Sequence, residues 1–192
     1  MNPYKYVCDL PVRKITTAQE AIEKSMITLL DNKNLYELSV REICKTANVA
    51  RSTFYAYYDV VDDCLLDIEN RFLHELLDLN MKRTTSEKNG YIDLSFSENT
   101  IRYIQANKKM LYLFLIKRYN YHFVNRWKDA IKYHLYAQMP VSISDQNKEL
   151  TLEIIASGII GAYRHWLKNP YELDAEYVKR LIRRGLESYS EL

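Results

Sequence analysis

Helix-breaking residues are scarce along this chain. Only 4 Gly and 4 Pro occur among 192 residues, so long stretches run without a residue that interrupts a helix. Apolar side chains recur at helical spacing within these stretches, as Ile22, Met26 and Leu30 do near the start. The sequence therefore predicts an all-α fold of about nine helices, long enough to bury a core without disulfides.

Capping signals mark the first two helices. Thr16 or Thr17, with a Gln or Glu three residues later, forms one capping box, and Ser39 with Glu42 forms another. The predicted helices cover residues 17–30, 39–47, 51–58, 62–81, 94–106, 108–117, 123–138, 148–168 and 174–189.

Residues 39–58 combine the features of a helix-turn-helix. Two short helices that cross steeply need a small residue at the crossing, which Cys44 supplies, and a turn residue that tolerates positive φ, which Asn48 supplies. Val49 fills the corner, while Phe54 and Tyr58 anchor the second helix at a spacing of four residues. The predicted core and turn positions of the motif are Val40, Ile43, Cys44, Asn48, Val49 and Phe54.

The second helix of this motif presents the chemistry of a major-groove reader. Arg51 can pair with guanine or hold a phosphate, and Ser52 and Thr53 are short enough to approach base edges. The hydroxyls of Tyr55 and Tyr57 can reach phosphates and fix the register of the helix.

Two further features can add phosphate contacts. The helix that begins at Ser39 can direct backbone N–H groups at a phosphate. Arg13, Lys14 and Lys5 form either a basic arm that touches DNA or a solvated tail. The predicted DNA contacts are Ser39, Arg41, Arg51, Ser52, Thr53, Tyr55, Tyr57 and Lys14.

The run from Leu38 to Tyr58 resembles the helix-turn-helix of TetR-type transcriptional regulators. The Thr-Phe-Tyr-x-Tyr-Tyr segment that begins at Thr53 is its most specific part, and the likeness covers about residues 17–66. The resemblance implies a helix-turn-helix DNA-binding domain over residues 1–60 and a helical effector and dimerisation domain over residues 61–192. It implies a homodimeric regulator, by default a repressor, that binds a palindromic operator in double-stranded DNA and responds to an unknown small-molecule effector.

Three positions depart from that family's usual pattern. Asn48 stands where Gly is common, Ala50 where Ser caps the helix, and Val61 where Lys grips a phosphate. In addition, residues 1–70 carry eight Lys and Arg against eleven Asp and Glu, which weakens attraction to DNA. Val61 and this net negative charge motivate a rival hypothesis: a helix-turn-helix adaptor that binds no DNA and acts as a co-regulator through a protein partner.

Small residues interrupt a strong helical pattern near residue 160. Gly inside a helix costs about 1 kcal/mol relative to Ala, so its presence indicates a close approach of another helix. We interpret this helix and the last one as a homodimer interface, with packing inside the chain as the alternative. The predicted interface residues are Ser157, Gly158, Gly161, Ala162, Leu181 and Ile182.

Aromatic residues are frequent in the C-terminal half. The whole chain contains 17 Tyr, and several aromatic side chains fall on predicted helices after residue 90. Such side chains can line a pocket for an aromatic or amphipathic molecule, although for any single one of them an ordinary core position is the simpler interpretation. The predicted effector pocket contains Tyr103, Phe114, Trp127 and Tyr163.

Other functional classes find little support in the sequence. None of the common nucleotide-binding, hydrolase or zinc-protease motifs occurs, so we expect no enzymatic activity and no cofactor. Cys8, Cys44 and Cys64 are scattered, and no metal-ligand spacing is present, so we expect no metal site. The first residues lack a signal-peptide core and no apolar run approaches about 18 residues, so we expect a cytoplasmic protein of the bacterial nucleoid.

Overall fold

A computed structural model of the chain describes residues 2–11, 14–81, 96–136 and 144–189. These residues contain nine α-helices and no strand, which confirms the predicted all-α class. The helices are α1 (Thr17–Leu30), α2 (Val40–Ala47), α3 (Arg51–Tyr55), α4 (Val61–Met81), α5 (Phe96–Ala106), α6 (Lys108–Tyr112), α7 (Tyr121–Tyr136), α8 (Asp145–Lys168) and α9 (Ala175–Tyr189). Residues 94, 95, 137 and 138 of the predicted helices lie outside the described part.

Two predicted helices are shorter than the sequence suggested. The third was expected to reach Tyr58, but α3 ends at Tyr55, because the N–H groups of Tyr57 and Tyr58 both donate to the Phe54 carbonyl at 3.0 Å and close a tight turn. The predicted helix over residues 108–117 continues beyond α6 as a π-helical segment, Leu113–Lys117. There the Arg118 N–H donates to the Leu113 carbonyl, five residues back, at 2.8 Å.

The chain forms two compact units. The N-terminal unit is Leu10–Phe72, and the C-terminal unit consists of the described residues before Leu10 and after Phe72, so the boundary falls within α4. The predicted division into functional domains at residue 60 stays a prediction.

In the N-terminal unit, α1 packs on α2 and α3. The apolar stripe predicted for α1 lies inside, and Ile22 and Met26 are fully buried with Ile43 of α2 and Phe54 of α3. Complete burial of each such side chain contributes about 1.5–3 kcal/mol. This core fixes the orientation of two helices that are too short to be stable alone.

In the C-terminal unit, α8 is the central helix and packs against α6, α7 and α9. Its buried face includes Leu152, Ala156 and Tyr163, and the Trp127 side chain of α7 is fully buried. None of the described helices is both long enough and apolar enough to span a membrane.

The start of the chain belongs to the C-terminal unit. A short 3-10 helix, Lys5–Asp9, packs on α7 with Val7 fully buried. Asn2 Nδ2 donates to the Tyr133 carbonyl at 2.9 Å, and the Tyr6 hydroxyl donates to Asp129. Residues 2–9 therefore pack with a helix that begins more than a hundred positions later in the sequence.

An ion cluster joins α7 to α8. Lys128 Nζ donates to Glu153 Oε1 at 2.7 Å, Lys132 pairs with the other carboxylate oxygen, and the Ser157 hydroxyl donates to Oε1 at 2.9 Å. Burial opposes ionisation of Glu153, but the hydrogen bonds from Lys128, Lys132 and Ser157 outweigh it and bring the pKa to about 2. The cluster therefore favours the ionised carboxylate in the folded protein.

We predict that Glu153→Gln is less stable than the wild type near neutral pH and that the difference shrinks in acid. The folded pKa of Glu153 is about 2 against an ordinary value of 4.5, so the contribution is complete above about pH 4.5 and is lost as the pH falls toward 2. Urea unfolding at pH 6.5, 4.5 and 3.5 measures it. Glu149→Gln, one turn earlier on an exposed position of α8, is the control, and a pH-independent difference for Glu153→Gln would contradict the prediction.

Candidate functional site

The turn between α2 and α3 depends on one left-handed residue. Asn48 has φ 55° and ψ 45°, and among the described residues other than Gly it alone has positive φ. The N–H of Asn48 donates to the Lys45 carbonyl, and the N–H of Val49 donates to the Cys44 carbonyl at 3.0 Å. This pair of bonds is the Schellman arrangement, which ends α2 and redirects the chain into α3.

The start of α2 is capped as the sequence predicted. Ser39 Oγ accepts from the Glu42 N–H at 3.3 Å, and the Glu42 carboxylate accepts from the Ser39 N–H in return. Lys33 pairs with the same carboxylate, and this pairing is the largest cause of the lowered pKa of Glu42. With Ile43 and Cys44 buried beneath it, α2 forms a fixed platform for α3.

Two aromatic side chains anchor α3 from below. Phe54 and Tyr58 are buried, with ring centroids 5.4 Å apart. The Tyr58 hydroxyl donates to Glu23 of α1 at 3.0 Å and lies 3.4 Å from Asp67 of α4. Arg71 of α4 pairs with the same Glu23 carboxylate, so the segment that follows α3 is tied to α1 and α4.

Burial of this network shifts the pKa values of Glu23 and Tyr58. Burial raises the pKa of Glu23 above its ordinary value, although Arg71 and Tyr58 oppose the rise. Burial, with Glu23 beside it, also raises the pKa of Tyr58 well above 10.0. The Tyr58 hydroxyl therefore remains a hydrogen-bond donor, and the buried carboxylate has both a phenol and a guanidinium as partners.

The predicted contact residues of α3 differ in exposure. Arg51, Ser52 and Tyr55 are exposed, and Thr53 is half-buried. Tyr57 lies after the end of α3, is half-buried, and accepts a hydrogen bond from Thr16 Oγ1 at 3.1 Å. The exposed face of α3 thus offers a guanidinium, a short hydroxyl and a phenol, while Tyr57 also connects this region to the start of α1.

Cations that make no ion pair gather on α2 and α3. In the described part of the N-terminal unit, Lys24, Lys33 and Arg71 are paired with carboxylates, whereas the exposed side chains of Arg41, Lys45 and Arg51 are not. The exposed face of α2 and α3 therefore carries unpaired positive charge, although residues 1–70 have a negative net charge. Lys45 was missed by the sequence interpretation, although its spacing of four residues from Arg41 places both on one side of α2.

The acidic start of α4 has a structural role. Asp63 Oδ2 accepts the N–H groups of Asp59 and Val60, both at 3.1 Å, so it fixes the residues that precede the helix, as the third-residue carboxylate of a capping box does. Asp62 and Asp59 remain exposed.

The predicted basic arm is divided. Lys14 is exposed in the N-terminal unit, Arg13 lies outside the described residues, and Lys5 belongs to the segment that packs on α7. The structure therefore does not bring Lys5 and Lys14 into one compact unit.

Four of the six predicted interface residues line one surface groove of α8 and α9. A shallow groove of about 240 Å³ runs between the two helices, and Ile154 and Leu181, about half exposed, border it. A Cβ built on Gly158, Gly161 or Gly185 would meet no atom within 4 Å. Close packing inside the described chain therefore does not explain these glycines. Of the remaining predicted residues, Ala162 and Ile182 line the groove, and Ser157 bonds to Glu153.

Three of the four predicted pocket residues belong to one series of aromatic contacts. The Phe114 ring lies 5.3 Å from Phe123, Phe123 lies 5.8 Å from Trp127, and Trp127 stacks on Tyr163 at 5.8 Å with an interplanar angle of 14°. We call these four residues the aromatic cluster. Tyr103 is half-buried on α5, and its carbonyl accepts from the Asn107 side chain at 3.0 Å.

A separate open groove of about 650 Å³ lies beside the loop between α8 and α9. Its lining includes Lys108, Glu172 and Asp174, and it contains none of the four predicted pocket residues. No group of three His, Cys, Asp or Glu in the described part of the chain is arranged to hold a metal ion.

These features define a helical protein with an N-terminal helix-turn-helix and a separate C-terminal unit. Residues 94–188 match a TetR-type family model described as "Transcriptional regulator C-terminal region". The match identifies residues 94–188 as the C-terminal region of a TetR-type transcriptional regulator. A comparison with curated protein sequences finds no match.

Solved structures of similar fold cover nearly the whole chain. The dihydroxyacetone kinase operon activator DhaS is 19% identical with a TM-score of 0.64, and the alignment covers 91% of this chain and 96% of that one. The fatty acid degradation regulator FadR from Bacillus halodurans is 12% identical with a TM-score of 0.71, over 91% and 96% of the two chains. FadR from Bacillus subtilis, solved in complex with stearoyl-CoA, is 12% identical with a TM-score of 0.62, over 88% and 97%.

We predict that Ala50→Ser stabilises the protein by about 1 kcal/mol. Ala50 precedes α3 with φ −70° and ψ 153°, an extended conformation suited to a capping residue, but it has no side-chain oxygen to accept a helix N–H. The free energy of unfolding from urea titration measures the gain. Ala56→Ser, on an exposed residue just after α3, is the control, and equal effects of the two changes would contradict the prediction.

Proposed function

We propose that this TetR-family regulator binds a palindromic operator as a homodimer and represses transcription by occluding the promoter. The observation that carries the proposal is the exposed face of α2 and α3. There Arg41, Lys45 and Arg51 make no ion pair with any described residue, and the helix that presents Arg51 is held by the buried side chains of Phe54 and Tyr58. Free cations on a fixed helix suit phosphate contacts and a major-groove approach.

The side chains of α3 divide into two roles under this proposal. Arg51 and Ser52 approach base edges and give sequence preference, while Tyr55 reaches a phosphate and sets the register. Lys45 and Arg41 contribute attraction that does not depend on the base sequence. The proposal implies that the protein works at the chromosome, in the bacterial cytoplasm.

The surface of α8 and α9 supports the homodimer. Glycines whose missing side chains would meet nothing within the chain are best explained by the approach of a second molecule. Exposed Ile154 and Leu181 beside them supply apolar area for that contact. A two-fold axis along this surface gives a self-complementary interface, which matches a two-fold operator.

We further propose that a small molecule regulates DNA binding from the C-terminal unit. The aromatic cluster is the candidate site, and a regulator of similar fold has been solved in complex with stearoyl-CoA. A ligand acts by favouring one dimer geometry over another, which alters the spacing of the two recognition helices, about 34–36 Å for adjacent major grooves.

We predict that selection from random duplex DNA enriches a palindrome with the wild-type protein. Arg51→Ala and Tyr55→Ala should lose the enrichment, and Arg51→Ala should cost about 1–3 kcal/mol of binding to the enriched site. Lys168→Ala, which removes an exposed cation of α8, is the control and should behave as the wild type does. Folding of every variant is checked by its melting temperature.

The same assay separates the regulator from the adaptor hypothesis. Val61→Lys introduces a cation at the start of α4, where it should tighten operator binding and steepen its salt dependence by about one phosphate contact. A folded dimer that enriches no sequence at low salt, with or without this change, would refute DNA binding and favour the partner-binding adaptor. Placing the enriched palindrome upstream of a reporter gene then gives the direction of regulation.

We predict that Ile154→Glu and Leu181→Glu shift the protein from dimer to monomer. Both side chains are about half exposed in the single chain, so a carboxylate there leaves the folded unit intact but is buried on dimerisation. Sedimentation equilibrium measures the shift, and operator affinity should fall with it. Leu66→Glu, on an exposed position of α4, is the control; dimers that persist in both interface variants would rule out this surface.

A further inference from the structure

The aromatic cluster contains one polar atom that no described residue satisfies. The Tyr163 side chain is 1% exposed, and its hydroxyl forms no hydrogen bond within the described part of the chain. A buried polar group without a partner destabilises the folded state, so the few that persist in proteins call for an explanation such as a bound water or a ligand. The Tyr163 hydroxyl is therefore the atom of this core to which a ligand would bind.

The side chains around Tyr163 are apolar and aromatic, so they favour an apolar ligand. Its ring stacks on Trp127, and its neighbours one turn away on α8 are the buried side chains of Ile159, Ile160 and Leu167. These groups favour an apolar body, and stacking between Trp127 and a ligand ring can replace the present stack.

Charge excludes an ionised ligand from this position. The buried cations in the described part of the C-terminal unit are Arg126, Lys132 and Lys148, and each already has an interaction. A carboxylate beside Tyr163 would be desolvated with only a phenol to compensate it. Burial raises the pKa of Tyr163 well above its ordinary value, so the hydroxyl stays protonated and donates.

At the other end of the aromatic cluster, Phe114 lies in an irregular helical segment. Phe114 lies on the π-helical segment Leu113–Lys117, where the regular ladder of helix hydrogen bonds is replaced by wider turns. Such segments occur frequently at functional sites. A ligand that reaches the Tyr163 hydroxyl would have to displace Phe114 from Phe123, and we place that movement in this segment.

We propose that the effector is an uncharged, largely apolar molecule whose hydrogen-bond acceptor, a ketone or ester oxygen, binds the Tyr163 hydroxyl within the aromatic cluster. The term effector rests on the proposed function, whereas the ligand site itself does not. Tyr163 fixes the orientation of the ligand, and Trp127 and Phe114 hold its apolar part.

Acetophenone and ethylbenzene test the proposal because they have the same carbon skeleton and differ by one carbonyl oxygen. Isothermal titration of the full-length protein without DNA compares the wild type with Tyr163→Phe. Acetophenone should bind the wild type at least tenfold more tightly than the variant, and ethylbenzene should bind both equally. Benzoate should bind neither. Tyr121→Phe, which removes an exposed hydroxyl, is the control and should match the wild type.

The melting temperature of Tyr163→Phe tests whether the Tyr163 hydroxyl instead stabilises the free protein. Tyr163→Phe removes a hydroxyl that has no partner, so the melting temperature of the free protein should stay the same or rise. A lower melting temperature would show that the hydroxyl is satisfied by bound water. That result, equal binding of acetophenone to both proteins, or no binding at millimolar concentration would each overturn the ligand site.

The effector role is tested separately from DNA binding. Operator affinity of the wild type should change at least tenfold when acetophenone saturates the site, and not in Tyr163→Phe. Unchanged affinity in a protein that binds both operator and acetophenone would overturn the effector role. Failure to select any operator would instead refute the proposed function and leave the titration result standing.

Discussion

The attachment of α3 to its neighbours is the constraint on which the N-terminal unit depends. A helix of five residues cannot be stable alone, because it has too few hydrogen bonds to offset the ordering of its backbone. Phe54 supplies apolar burial, and Tyr58 adds a hydrogen bond to the Glu23 carboxylate, which Arg71 also holds. Buried contacts with α1, α2 and α4 therefore fix the position of α3 and of its exposed side chains.

Buried polar groups beneath α3 and in the aromatic cluster differ in their partners. Beneath α3, Glu23 and Arg71 are paired, which is costly in desolvation but defines one arrangement of the helices. In the aromatic cluster, the Tyr163 hydroxyl has no described partner, which leaves that core open to a molecule able to supply one. The first arrangement favours one fixed orientation of α3, and the second is the basis of the ligand site that we propose.

Much of the fold followed from local patterns in the sequence. The scarcity of Gly and Pro predicted the helical class, and the Ser39 capping box and Asn48 predicted where α2 begins and ends. The early end of α3 and the π-helical turn after Tyr112 were missed, because both depend on how side chains pack rather than on any breaker residue. Glu23 was missed as well, although a carboxylate three residues before Met26 lies on the predicted apolar stripe and could have signalled a buried partner.

The docking of the first nine residues on α7 has a consequence for synthesis on the ribosome. Tyr6 and Val7 are synthesised over a hundred residues before their partners on α7, which begins at Tyr121. At an elongation rate of about 5–20 residues per second, these residues lack their binding surface for several seconds or longer. The N-terminal unit can complete its own core in that interval, so the 3-10 helix Lys5–Asp9 docks on α7 after the residues that follow it have folded.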